Sequence, residues 1–124
     1  GVKMIRSLFR IILYVQDIDA MVRFYRDVMG LSLKYPKAND DYEGEFWVEF
    51  DTEGCTLVLH GGGQQRLDKD TPKLNFLVDD IEATRQALID KGVHMEEIFS
   101  PAPGTKVSNG VDPEGFPFSL DWHE

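Results

Sequence analysis

Two stretches of this chain repeat each other. "ILYVQDIDA", Ile12 to Ala20, aligns with "NFLVDDIEA", Asn75 to Ala83. Val15 lies over Val78, Asp17 over Asp80, Ile18 over Ile81 and Ala20 over Ala83, always 63 residues apart. Each copy is a short apolar strand that stops at an acidic pair and enters a helix. Self-similarity at a fixed offset means one supersecondary unit used twice. The first helix carries Ile18, Met21, Val22, Tyr25, Val28 and Met29 on one stripe, with Asp17 or Asp19 as cap and Gly30 at its end. The second carries Ile81, Thr84, Ala87 and Leu88, with Asp79 or Asp80 as cap and Gly92 at its end.

Three strand-like runs follow each helix. They are "LSLKYP", "EFWVEF" and "CTLVLH" in the first half, and "VHMEEIF", "KVSNGV" and "FPFSLDW" in the second. The pattern predicts an α+β chain of two tandem βαβββ modules that pair into one curved mixed sheet, with a concave face and helices outside. The boundaries fall at about 5–61 and 73–124, around a polar, flexible linker at about 62–72 that begins in the "GGGQQRLDKDTP" run. At 124 residues the chain suits one domain built from both modules.

Composition narrows the partners. Thirteen basic residues stand against twenty-two acidic ones, a formal charge of −9. That charge repels a phosphate backbone, so nucleic acid is not expected as a partner. No apolar run reaches the roughly 20 residues that cross a bilayer, and the opening "GVKMIRSLFR" has no apolar leader core. The single cysteine, Cys55, rules out an internal disulfide and fits a reducing cytoplasm; it reads as a small apolar strand residue.

The tandem modules, the two strand-to-helix junctions, "FYRDVMGL" at Phe24–Leu31 and "DPEG" at Asp112–Gly115 together resemble the vicinal oxygen chelate superfamily of glyoxalase I, bleomycin-resistance proteins and extradiol dioxygenases. The resemblance spans nearly the whole chain. It implies a ligand cup on the concave sheet face and, together with the exposed edges of a paired sheet, a homodimer. In metal-using members, four ligands, mostly His and Glu, lie on the first and last strands of each module. Those positions fall five residues before the helix-leading valine and four after the turn glycine. Here they are Arg10, Val58, Lys73 and Ser119. Zinc, nickel and iron take imidazole, carboxylate or thiolate, none of which is present. A shift of one residue does not help: Phe9, Ile11, Leu57, Leu59, Pro72, Leu74, Phe118 and Leu120 have no donor side chains. A metal-free member without a cofactor is therefore expected.

Strand alternation places the rest of the cup. Ile11, Leu13, Val15, Leu74, Phe76 and Val78 face the helices. Phe46, Val48 and Phe50 read as core. The lining is then Arg10, Tyr14, Trp47, Glu49, Thr56, Val58, His60, Lys73, Asn75, Ser119 and Asp121, with Ile12 and Leu77 on the same faces. Arg10 and Lys73 either pair with Glu49 and Asp121 across the cup floor or hold the anionic or carbonyl end of a small organic ligand, whose body lies on Trp47, Tyr14 and Val58. His60 reads either as a solvated strand end or as a general base, and Trp47 either as a wedge or as a stacking surface. His94 and His123 read as surface residues. Two classes of function follow. One is a metal-free small-molecule-binding protein of the bleomycin-resistance kind. The other is a lyase, isomerase or dioxygenase-type enzyme that works through side chains alone or through a metal at an unrecognised site.

Overall fold

The computed structural model describes residues 4, 6–37, 39, 41–64, 67, 68 and 70–124. Gln65, Arg66 and Lys69 of the expected linker, Gly1, Val2 and Lys3 of the opening segment, and Ile5 at the edge of the first module lie outside the described residues. The chain divides into two compact units, Gly1–Gln65 and Arg66–Glu124.

Unit one holds strand β1 (Arg10–Tyr14), helix α1 (Ile18–Arg23) running directly into a π-helical turn (Phe24–Val28), and strands β2 (Ser32–Tyr35), β3 (Trp47–Asp51) and β4 (Thr56–His60). Its sheet order is β1-β4-β3-β2, with β1 parallel to β4 and the other pairs antiparallel. Asp17 is the helix cap, accepting from Ala20 N–H at 3.0 Å. Gly30 leaves the helix at φ 76°, a conformation glycine reaches without Cβ strain. The expected stripe forms: Ile18, Met21, Val22 and Tyr25 are buried. The departure from a plain α-helix is the π turn, which takes in part of the "FYRDVMGL" run.

Unit two holds β5 (Leu74–Leu77), α2 (Ile81–Asp90), β6 (Thr105–Val111) and β7 (Pro117–His123), ordered β5-β7-β6 with β5 parallel to β7. Asp80 caps α2 through Ala83 N–H at 3.0 Å, and Gly92 follows at φ 91°. The two units thus share one connectivity, in which the first and last strands pair in parallel and the last strand pairs backwards with the one before it. "VHMEEIF" is not a strand, contrary to expectation. It meets β6 through isolated bridges at Met95–Gly110 and Phe99–Val107 and through the Ser108 hydroxyl, which donates to Glu96 C=O at 2.7 Å. Among the described residues, seven strands, two helices and the π turn make up the α+β fold.

Each helix packs on its own sheet, α1 against β4 and α2 against β6 and β7. Val15, Leu57, Leu59, Val48 and Phe50 are buried in unit one, and Leu74, Phe118 and Leu120 in unit two. Each large apolar side chain closed off this way contributes about 1.5–3 kcal/mol. Two expected core positions are corrected. Phe46 is 64% exposed because β3 begins only at Trp47, and Ala87 lies on the exposed side of α2. Cys55 sits in the bend before β4 rather than in the strand. His123 is the exposed last residue of β7, its ring Nδ1 3.4 Å from Thr105 Oγ1.

The triple glycine is not free linker either. Val15 N–H donates to His60 C=O at 2.8 Å and Gly63 N–H to Val15 C=O at 2.9 Å, which prolongs the β1–β4 ladder past His60. Gly63, inside the predicted linker, therefore belongs to unit one.

Candidate functional site

Register settles which side chains share a face. Arg10 pairs with Thr56, Ile12 with Val58 and Tyr14 with His60; Glu49 pairs with Val58 and Trp47 with His60. All of them point away from α1, as expected from the alternation. Arg10 and Tyr14 are exposed, Trp47, Glu49 and His60 half-buried, and Thr56 and Val58 buried.

These groups form one connected set. The Arg10 guanidinium stands 5.1 Å from the Trp47 ring centre and 4.5 Å from that of Phe9. Such stacking is worth about 0.5–1 kcal/mol at an exposed site and holds the planar cation in place. The Trp47 indole N–H donates to Glu49 at 2.8 Å. His60 lies edge-on to Trp47 at 5.9 Å and tilted against Tyr14 at 4.8 Å. Its Nδ1 is 2.7 Å from Gly61 C=O. A carbonyl oxygen only accepts, so Nδ1 carries the proton and the neutral ring keeps Nε2 as an acceptor.

Lys34 belongs to this face too. Its Nζ lies 3.5 Å from Thr56 Oγ1 and 4.0 Å from Glu49. A register shift between Leu33 and Tyr35 brings it there, and no turn or glycine in "LSLKYP" signals that irregularity. Glu49 thus pairs with Lys34, and Arg10 makes no ion pair among the described residues.

In unit two, Asn75 pairs with Ser119 and Leu77 with Asp121, while Asn109 and Val107 face them from β6. Ser119 has no solvent exposure and Asp121 8%. The Ser119 hydroxyl donates to Asp121 at 2.8 Å. Lys73, just ahead of β5, donates to Asn109 Oδ1 at 3.0 Å. Lys73 and Asp121 form no ion pair among the described residues, so neither of the internal pairings considered for Arg10 and Lys73 is present. Asn109 was missed because "KVSNGV" offers no sign that a lysine 36 residues earlier ends beside it.

The four positions where metal-using members bind the ion do not fit one. In unit one they offer a guanidinium stacked on an indole and an isopropyl group; in unit two, an ammonium and a hydroxyl already bonded to a carboxylate. Among the described residues no three His, Cys, Asp or Glu side chains gather as a metal site. Among those residues, too, no helix is long and apolar enough to cross a membrane.

A sequence model described as the glyoxalase/bleomycin resistance protein/dioxygenase superfamily matches residues 7–120. A protein of Vibrio parahaemolyticus named "Probable lactoylglutathione lyase" is 29% identical over 118 residues, 87% of this chain and 84% of that protein. Among solved structures, the antibiotic binding protein TnmS3 from Streptomyces sp. CB03234 superposes with a TM-score of 0.78 at 19% identity, over 99% of this chain and all of that one. Lactoylglutathione lyase from Agrobacterium tumefaciens superposes with a TM-score of 0.72 at 19% identity, over 94% and 92% of the two chains. The two structural likenesses carry the fold. With the family match running from the first strand into the last, the chain belongs to the glyoxalase/bleomycin resistance protein/dioxygenase superfamily.

Proposed function

We propose that this chain binds a small organic molecule on the helix-free faces of its sheets and holds no divalent metal at positions 10, 58, 73 and 119. The observation that supports this most is Arg10 on Trp47. A planar cation, held by stacking and without an ion pair among the described residues, presents its N–H fork beside an aromatic surface formed by Trp47, Tyr14 and His60. That combination suits a ligand with an anionic or carbonyl end and a flat apolar body. An antibiotic-binding protein with the same fold supports a binding role. The lone Cys55 fits work in the cytoplasm.

The test is a thermal-shift screen of organic acids, aromatic carboxylates and cationic drugs against the wild type, Arg10→Ala and Trp47→Ala. Acids are expected to raise the melting temperature of the wild type. Losing one charge-assisted contact costs about 1.5–3 kcal/mol, so binding to Arg10→Ala should weaken roughly ten- to a hundredfold. Acids that stabilise Arg10→Ala as well as the wild type would remove the anion pocket, and stabilisation by cationic drugs instead would reverse the ligand's charge.

A second reading is favoured by the His60 Nε2 acceptor and by the Vibrio relative. It is an enzyme that moves a proton through His60. Turnover of lactoylglutathione that resists chelators and is lost in His60→Ala would establish it.

A further inference from the structure

An open pocket of about 300 Å³ lies in unit two. Its polar groups are Lys73, Asn109, His94 and Glu96, and its apolar surface includes Val111 and Pro117. Backbone pairing brings the polar groups together. Glu96 N–H donates to Asn109 C=O at 2.8 Å, which sets residue 96 beside the asparagine, and Lys73 Nζ reaches the Asn109 side chain. The lysine uses one of its three protons on Asn109 Oδ1, and it forms no other hydrogen bond or ion pair among the described residues. With Oδ1 accepting, the Asn109 NH₂ also remains a donor. On the other rim, the Glu96 carboxylate lies 3.6 Å from His94 Nε2 and is two-thirds exposed.

We infer that this pocket is a binding site for small amphoteric acids, meaning monocarboxylates that also carry an N–H or O–H donor. The carboxylate takes the free protons of Lys73 and Asn109, the donor group takes Glu96, and a short apolar body lies on Val111 and Pro117. A second carboxylate on the ligand would meet Glu96 and be repelled. A bare amine would meet Lys73. The inference rests on the reading that the helix-free faces take small organic ligands, and it names a class and a place for one of them. It also gives His94, which reads as plain surface in the sequence, a position on the rim of a site.

Phenylalanine, 3-phenylpropionate and phenethylamine share one skeleton and differ only at the groups in question. Each is titrated to about 10 mM against ¹⁵N-labelled protein while amide shifts are followed. Phenylalanine is expected to bind best and phenethylamine least, with the largest shifts at Asn109, Gly110 and Val111. Lys73→Met should weaken both acids at least about tenfold, the effect of losing roughly 1.4 kcal/mol. Glu96→Gln should weaken phenylalanine several-fold and leave 3-phenylpropionate unchanged. In Arg10→Ala the shifts at Asn109, Gly110 and Val111 should persist, whatever the acids lose at β1, β3 and β4. All three substituted side chains are solvent-exposed, so the variants are expected to fold. If no acid shifts residues 109–111, or if Lys73→Met binds them like the wild type, the pocket is refuted. If the shifts fall on β1, β3 and β4 and vanish in Arg10→Ala, this inference fails and the proposed function stands.

Discussion

Gly63 shows how much a single side chain can be forbidden to exist. A Cβ there would lie 2.4 Å from Tyr14 O, 2.5 Å from Tyr14 C and 2.7 Å from Val15 N, all backbone atoms that cannot step aside. Gly63→Ala is expected to destabilise the chain by about 1–3 kcal/mol, the usual cost of forcing extra atoms into a packed place. Gly54→Ala, where nothing lies within 4 Å, should stay within about 0.5 kcal/mol of the wild type. Urea denaturation of both variants checks this; equal midpoints would mean that the Gly63–Val15 contact is not held in solution. The same residue marks a limit of reading from sequence. Three consecutive glycines look like linker, yet close backbone approach demands glycine just as flexibility does. At the candidate site, strand alternation correctly put Arg10, Tyr14, Trp47, Glu49 and His60 on one face, because a period of two follows from backbone geometry alone. Which neighbour each would bond was not legible: Glu49 takes Trp47 and Lys34 instead of Arg10, and the register shift that delivers Lys34 has no sequence signal.

At the scale of elements, both helix starts were legible because an aspartate ahead of an apolar stripe has a mechanism: its carboxylate accepts the third N–H. "VHMEEIF" was overread as a strand. Its residues have strand-like alternation but pair with β6 as two isolated bridges, while Arg85 of α2 donates to the carbonyls of Met95 and Glu96 and the Ser108 hydroxyl shares the latter. Side-chain links also tie α2 to β6. Lys106 donates to Glu82 at 2.9 Å, and this hydrogen bond holds the Glu82 carboxyl below its usual range. A carboxyl depressed in the folded state adds stability that is present above the unfolded value and lost as pH falls through the folded one. Both groups are largely exposed, so the contribution is small. NMR titration of the Glu82 side chain should show a lower value in the wild type than in Lys106→Met. Identical titrations would mean that the pair does not persist in water.

At the scale of the whole molecule, the duplication was the most legible feature, since a repeat must satisfy the same packing twice and so leaves the same apolar stripe and cap in both copies. The chemistry is less legible because one fold hosts many activities. The donor types at positions 10, 58, 73 and 119 therefore carry most of the argument: two cations, an aliphatic group and a hydroxyl bonded to Asp121 are poor company for a divalent ion. The formal charge of −9 draws cations to the surface in general, so loose metal association alone is uninformative and stoichiometry decides. The most direct measurement is metal content after equilibration. Purified protein is incubated with excess zinc, nickel, manganese or iron, passed through a desalting column and assayed by elemental analysis, with melting temperatures taken in parallel. The expected result is far below one equivalent per chain and no rise in melting temperature with any of the four. One retained equivalent together with a raised melting temperature would contradict a metal-free ligand-binding member of this superfamily.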